Sequence, residues 1–362
     1  MMIFILLILA LNFSCSESST KEELYKTEIA ANSESNKLKF TSGIRAIFQD
    51  SKGNHWFGSL KEGVAVYNGK SFRYFTIKDG LTDNQIRTIQ EDNNGVIWFS
   101  TQNGVSSYDG SSIRNHTNSV NGTSTDIFTI QNTNPLQGEW MKSDKDLWFS
   151  ASIKEGVYRY DGEKIKYLAF PPQKVLNPTD NLFAVTDISY GKDNMVWIAT
   201  YAGVFGYNGS DFIIINDETL GFDRNVAPLH IRSILEDSKG RLWIGNNGIG
   251  VLLKEKDKVS NFSEKNNLIH LESGRKGGKS PDNTLEHVFT IEEDNKGNIW
   301  FGDRDAGIWR YDGRTMKNYT KADGLSDYFA LSIYEDNNGK LWFGMADGTV
   351  YKFDGKSFVK QF

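Results

Sequence analysis

The sequence is poor in the residues that build cross-linked or metal-stabilised folds. It contains one Cys, five His and six Pro among 362 residues. One Cys cannot form a disulfide framework or a multi-thiolate metal site within the chain, and no two His stand at HxH or HxxxH spacing. We therefore expect no metal and no cofactor. The 34 Gly and the 13% of aromatic residues are typical of a folded, turn-rich β protein.

An excess of positive charge is also missing. The chain has 41 Lys and Arg against 46 Asp and Glu, a formal net charge of −5, which argues against nucleic acid as a partner. Its most apolar stretch lies at the N-terminus, where the core Ile3–Leu11 is too short to span a bilayer but suits a signal peptide.

This apolar stretch ends directly at Cys15, the lone cysteine. The arrangement resembles a bacterial lipoprotein signal, which implies cleavage after residue 14 and a lipid on Cys15; the alternative is an ordinary cleaved secretory signal. Residues 15–36 are polar and serine-rich and read as a flexible tether before a folded unit over 37–362. We expect an extracytoplasmic monomer that touches the outer membrane through its lipid alone.

A repeat centred on one tryptophan organises the rest of the chain. The seven Trp of this repeat are spaced by 42, 50, 49, 46, 57 and 42 residues, and they are Trp56, Trp98, Trp148, Trp197, Trp243, Trp300 and Trp342. An apolar run and a turn precede each Trp, and a Gly, an apolar stretch with Tyr and an Asn-Gly or Asp-Gly turn usually follow it. Each repeat therefore predicts four short antiparallel strands, A to D, with the Trp on strand B. Seven such units predict an all-β fold, a seven-bladed β-propeller of four-stranded blades.

Two repeats carry a family resemblance. The segment DGLSDYFALSIYEDNNGKLWFGMADGTVYKFDG (Asp323–Gly355) and its counterpart at Asp79–Gly110 closely resemble the two-component regulator propeller repeat. The resemblance extends over residues ~44–362. It implies a periplasmic or surface module that senses a ligand, often a glycan, although this chain shows no kinase sequence after its repeats.

Candidate binding residues stand at the start of the innermost strands, A. Eleven residues before the repeated Trp stand Arg45, Arg87 and Arg232. Thirteen before it, or at the equivalent position of the third repeat, stand Gln85, Asp126, His230 and His287. Three Arg around one mouth of a propeller predict a site for a carboxylate or sulfate. The alternative is that these Arg join neighbouring blades by pairing with Asp or Glu.

The connections on the same face of the propeller carry further candidate binding residues. The turns between strands B and C place Tyr201, Asn247, Arg304 and Asp305 on the rim, and Tyr328 lies on a neighbouring connection. Tyr201 and Tyr328 suit stacking on a sugar ring. Connections from one blade to the next are longest around blades three to six, and long loops on a rigid scaffold often bind ligands. We expect a small molecule or an oligosaccharide as the ligand, bound more tightly in mild acid as His230 and His287 gain charge.

Two other functions remain open. One is a lyase: some single seven-bladed propellers, such as the streptogramin lyases, use a His, a Glu and a divalent metal, and His230, His270, Glu272, Glu286 and His287 lie near the long connections of this chain. The second open function is that of a scaffold for protein–protein interactions. Catalysis is uncertain, and a non-catalytic sensor is favoured. Ring closure is open too, because Leu38–Thr41 and Ser357–Phe362 both suit the outer strand of the last blade.

Overall fold

A computed structural model shows a β-propeller of seven antiparallel sheets arranged as blades. It describes residues 36–117, 140–143, 145–152, 154–171, 183–221, 229–270 and 278–362. Six blades have four described strands each. Blade three has three, because the residues expected to form its innermost strand lie outside the described ranges. The predicted fold class is confirmed.

The first three blades contain eleven described strands. Blade one comprises β1 (Ile44–Gln49), β2 (His55–Ser59), β3 (Val64–Tyr67) and β4 (Phe72–Phe75). Blade two comprises β5 (Ile86–Glu91), β6 (Ile97–Thr101), β7 (Gly104–Tyr108) and β8 (Ile113–Asn115). Blade three comprises β9 (Leu147–Ser150), β10 (Gly156–Tyr160) and β11 (Ile165–Ala169).

The last four blades are complete. Blade four comprises β12 (Val185–Tyr190), β13 (Val196–Thr200), β14 (Gly203–Tyr207) and β15 (Phe212–Asn216). Blade five comprises β16 (Ile231–Glu236), β17 (Leu242–Asn246), β18 (Val251–Glu255) and β19 (Lys258–Asn261). Blade six comprises β20 (Val288–Glu293), β21 (Ile299–Asp303), β22 (Ile308–Tyr311) and β23 (Met316–Tyr319). Blade seven comprises β24 (Ala330–Glu335), β25 (Leu341–Met345), β26 (Val350–Phe353) and β27 (Phe358–Gln361).

Short helices follow the outer strands of four blades. They are α1 (Asp217–Leu220), α2 (Phe262–Lys265) and two 3₁₀ turns, Ile77–Asp79 and Lys321–Asp323. Thr76 and Thr320 cap the 3₁₀ turns with reciprocal side-chain bonds to the third residue, and a left-handed Gly ends each turn. These capped turns guide the chain from one blade to the next.

The repeated tryptophans form the core between blades. Trp243 is completely buried, and its ring lies 5.6 Å from Phe301 of blade six. Trp56 and Phe99 repeat this pair at 5.7 Å between blades one and two. Each such contact buries aromatic surface and fixes the position of the next blade.

The ring closes through the same type of contact. Trp342 of blade seven lies 5.9 Å from Phe57 of blade one, and Ser332 donates a 2.9 Å hydrogen bond to the Ile44 carbonyl. The outer strand of blade seven is β27. Leu38–Thr41 forms no strand, so its suggested role in the last blade is wrong; Glu62 of blade one instead accepts from the backbone amide of Thr41 at 2.9 Å.

Candidate functional site

The innermost strands surround a central channel of about 510 Å³. Arg45, Arg87 and Arg232 line it together, from blades one, two and five. The structure thus brings the three predicted arginines into one cavity, although they are far apart in the sequence.

A β-bulge directs these arginines. In β1, Ile44 pairs with Ser59 and Ala46 with Gly58, so that Arg45 has no partner on β2. The register shifts at the same position in all six described innermost strands, and Arg87 and Arg232 are the skipped residues of β5 and β16. A bulge leaves one residue out of the ladder and turns its side chain. The repeat therefore provides one freely variable channel position in each of these strands.

In the described part of the chain, none of the three guanidinium groups makes a close ion pair with a carboxylate, although the charges of Asp187 and Asp83 act on Arg45 and Arg87. Arg87 donates to the side-chain oxygen of Gln102, and Arg232 lies 3.5 Å from the Tyr201 hydroxyl. No ion pair within 4.0 Å joins any of the three to a carboxylate in the described ranges. The buried Nε atoms of Arg87 and Arg232 have no hydrogen-bond partner there. The alternative of blade-joining ion pairs is thus not observed among the described residues.

Burial and mutual repulsion act on these cations. Burial, followed by the charge of Arg87, lowers the pKa of Arg45 to about 10. Burial also lowers the pKa values of Arg87 and Arg232. A bound anion would offset both the burial of these charges and the repulsion between them, because it adds opposite charge and hydrogen-bond acceptors.

An aromatic and histidine cluster borders the arginines. The guanidinium carbon of Arg232 lies 4.9 Å from the Tyr201 ring and 4.8 Å from the Phe289 ring. His230 lies on the other side of Tyr201, and the two ring centres are 5.0 Å apart. Tyr201 therefore contacts both His230 and Arg232, which the sequence predicted to face the same way.

Asn247 joins the two predicted histidines. Its side chain lies 2.6 Å from Nδ1 of His287 and 3.3 Å from Nδ1 of His230. His287 is completely buried, and its Nε2 lies 3.8 Å from a carboxylate oxygen of Asp305. Asp305 is held in turn by a 2.7 Å ion pair with Arg304.

The surroundings of His230 and His287 lower the pKa values of both imidazoles. Burial, followed by the charge of Arg232, lowers the pKa of His230 to about 4. Burial and Arg304 also lower the pKa of His287. The expectation that these histidines gain charge near pH 6.5 is wrong, because both lie beside arginines in a desolvated cluster.

Two channel carboxyl groups were missed in the sequence. Asp187 follows the bulge residue of β12, and Glu292 lies three residues after the bulge residue of β20. Burial raises the pKa of Asp187 to about 6. Burial, and then repulsion by Glu335 and Asp187, raises the pKa of Glu292 to about 8. An acidic residue within an innermost strand was the signal that could have revealed them.

The other predicted site residues lie elsewhere. Gln85 is outside the channel lining, and its backbone amide donates to Asp83 at 2.7 Å. Tyr328 lies on the connection to blade seven, with the Lys321 ammonium 5.1 Å from its ring. Asp126, Glu272 and Cys15 lie outside the described residues.

Two further residues considered for a lyase, Glu286 and His270, lie in contact with each other. Glu286 accepts a 2.8 Å hydrogen bond from Ser280 and one of 2.5 Å from the His270 backbone amide. Within the described ranges, no group of three His, Cys, Asp or Glu side chains is arranged to hold a metal ion. No helix in the described part of the chain has both the length and the apolar character of a membrane span.

Comparisons with known proteins agree with this architecture. The two component regulator propeller family model matches residues 80–103, 225–248 and 324–347. Among curated proteins, a sequence search found no match.

Solved structures share the fold at low identity. The extracellular domain of the hybrid two component system BT3049 from B. thetaiotaomicron is 20% identical with a TM-score of 0.60; the match covers 88% of this chain and 40% of that one. This chain therefore spans less than half of the length of that extracellular domain. Virginiamycin B lyase from Staphylococcus aureus is 15% identical with a TM-score of 0.61, over 88% of this chain and 97% of that one. PorZ from Porphyromonas gingivalis, a surface component of the type-IX secretion system, is 17% identical with a TM-score of 0.56, over 89% and 48%. The chain is thus a seven-bladed β-propeller in which three segments match the two component regulator propeller model.

Proposed function

We propose that the chain is a non-catalytic, extracytoplasmic ligand-binding propeller of the sensor type. Its ligand is a small anion-bearing molecule, such as a sugar acid or a sulfated oligosaccharide, bound in the channel beside the arginines. The observation that carries this proposal is the set of three guanidinium groups, from three blades, that share one cavity without carboxylate partners in the described ranges.

The chemistry of the mouth fits such a ligand. Guanidinium groups bind carboxylate and sulfate through paired, charge-assisted hydrogen bonds. The Tyr201 and Phe289 rings flank Arg232, so a sugar ring bound beside this arginine would lie against aromatic side chains. A channel of about 510 Å³ lies within the range of small-molecule sites, which favours a mono- or disaccharide unit inside it.

The location outside the cytoplasm forms part of the proposal. The N-terminal segment resembles a lipoprotein signal ending at Cys15, and the propellers from B. thetaiotaomicron belong to extracellular domains. We propose that a lipid on Cys15 anchors the chain to the outer membrane. Mass spectrometry of the mature N-terminus tests this, and a chain that begins after Cys15 would contradict it.

Calorimetry with matched ligands tests the binding function. Glucuronic acid and a sulfated disaccharide should bind and raise the melting temperature, whereas glucose and an uncharged disaccharide should bind much more weakly. Arg232→Ala should weaken anion binding ten- to a hundredfold, which corresponds to roughly 1–3 kcal/mol, with little change in melting temperature.

Arg114→Ala is the matched control, because Arg114 is exposed on the outer strand β8. Its anion affinity should equal that of the wild type. Equal losses in both variants would show nonspecific charge attraction. Intact binding in Arg232→Ala, or its unfolding, would assign Arg232 to blade packing and overturn the proposal.

One observation keeps the lyase as a second candidate. Asn247 links His230 to His287, so two imidazoles share a hydrogen-bonded cluster beside the channel. An acid–base elimination needs such groups near the substrate. Incubation with quinupristin and a divalent cation tests this function: conversion of quinupristin that His230→Ala abolishes would support it, and unchanged quinupristin would exclude it for this substrate.

A further inference from the structure

We propose that the channel ligand is zwitterionic, with an ammonium group next to its anionic group. This inference rests on the proposed function, since it assumes that the arginines bind the anion. It adds that Asp187 and Glu292 bind the cationic part, so that an amino sugar sulfate or an amino sugar acid is the ligand class.

Charge around the channel is divided between blades. Blades one, two and five supply arginines at the bulge position. Blades four and six have the uncharged Thr186 and Phe289 there, and these two blades supply the carboxyl groups, from Asp187 and Glu292. Both signs of charge therefore line a single cavity.

The two carboxyl groups differ in the hydrogen bonds that they accept. Asp187 accepts backbone hydrogen bonds from Ile188 at 2.9 Å and from Ile234 at 3.0 Å. Glu292 has no hydrogen bond to another side chain in the described ranges, and only the adjacent amide of Glu293 supports its charge there. Its other neighbours, Asp187, Glu293 and Glu335, are acidic.

A half-buried carboxyl group with acidic neighbours is stabilised by a proton or a cation. The charge of Arg45 acts on Asp187, but no ion pair within 4.0 Å joins a channel arginine to a carboxylate in the described ranges. A ligand ammonium has three donors and a compact charge, so it can bind Glu292 and Asp187 while the anion binds the arginines. An anion without an amine would leave the carboxyl groups unpaired.

Two probes that differ in one charge test the inference. Glucosamine 6-sulfate carries an ammonium and a sulfate, and N-acetylglucosamine 6-sulfate carries the same sulfate with a neutral amide. By calorimetry at pH 7, we expect the wild type to bind glucosamine 6-sulfate about tenfold more tightly or better. Equal affinity, or tighter binding of the N-acetyl form, would overturn the zwitterion while leaving the anion site intact.

Variants separate the two proposals further. Glu292→Gln should remove the preference for the amine, and a preference that persists in this variant would overturn the role of Glu292. Asp187→Asn should reduce the preference in the same direction. Glu292→Gln is the safer variant, because Asp187 accepts backbone hydrogen bonds from Ile188 and Ile234, whereas the only backbone donor that acts on Glu292 in the described ranges is the adjacent amide of Glu293. Arg232→Ala should weaken both probes equally. If the wild type binds neither probe nor glucuronic acid, the anion site itself fails, and the inference fails with it.

Discussion

Two regions of the same blades show opposite patterns. At the turn from strand A to strand B, five of the seven blades repeat one arrangement: an Asp side chain accepts from the indole N–H of the repeated Trp at 2.8–3.0 Å. At the bulge, the described blades carry Arg, Arg, Thr, Arg, Phe and Leu in chain order. The turn is constant because it holds the fold. The bulge varies because its side chains leave the strand ladder and enter the channel.

The constant turn combines two tasks in one carboxylate. In blade seven, one oxygen of Asp336 accepts from the amides of Asn338 and Lys340, at 2.9 and 3.0 Å, and closes the turn. The other oxygen accepts from Trp342 at 2.8 Å and orients the ring against blade one. Local turn geometry is thereby coupled to packing between blades.

The largest expected effect is on this constant region. Trp243→Ala should lower the free energy of unfolding by about 3–5 kcal/mol, because it leaves a cavity between blades five and six and removes one of the hydrogen-bond donors to Asp237. Urea denaturation measures the loss. The exposed Arg114→Ala should stay within about 0.5 kcal/mol of the wild type. A comparable loss in both variants would contradict the structural role of the Trp.

In the channel, by contrast, a substitution should raise the free energy of unfolding. Glu292→Gln should stabilise the empty protein at pH 8 by on the order of 1–3 kcal/mol. The folded pKa of Glu292, about 8, exceeds its ordinary value of 4.5, so the wild type loses stability as pH rises between these values. The advantage of the variant should vanish near pH 4. Melting curves at pH 4, 6 and 8 measure it, and an advantage independent of pH would show that packing rather than charge is responsible.

A matched pair of tryptophans tests the Asp–Trp hydrogen bond. Trp342 and Trp148 are equally buried, but the Trp148 indole N–H has no partner among the described residues. Trp342→Phe should cost about 1–2 kcal/mol more than Trp148→Phe, because it leaves an Asp336 oxygen without its donor. Denaturation of both variants measures the difference. Equal costs would mean that the hydrogen bond adds nothing beyond ring packing.

Most of the architecture follows from local signals in the sequence. The Trp spacing and the Asn-Gly and Asp-Gly turns repeat in register, so they predict strand order and blade number. The Asp that precedes each of five Trp by six residues was visible as a turn signal, but its second bond to the indole was not. That bond depends on a ring orientation fixed by the neighbouring blade.

The candidate site could be predicted from the sequence only in part. The column Arg45, Arg87 and Arg232 was visible because equivalent positions in repeats lie at equivalent places in the ring. Asp187 and Glu292 escaped notice because they stand at different columns, one and three residues after the bulge. Whether a cation is paired, or a histidine charged, depends on contacts between blades that no single repeat encodes. The lowered pKa values of His230 and His287 are an example.

The smallest expected effect concerns acidity and binding. Affinity for glucuronic acid should still increase, by several-fold, as pH falls from 8.5 to 5.5, but the histidines should not cause it. Glu292 and Asp187, with pKa values of about 8 and 6, lose negative charge over this range and stop repelling the anion, whereas His230 stays neutral down to about pH 4. Calorimetry across pH should therefore give a flatter profile for Glu292→Gln and an unchanged slope for His230→Gln. If His230→Gln flattens the profile instead, the imidazole is the titrating group and the carboxyl groups are bystanders to anion binding.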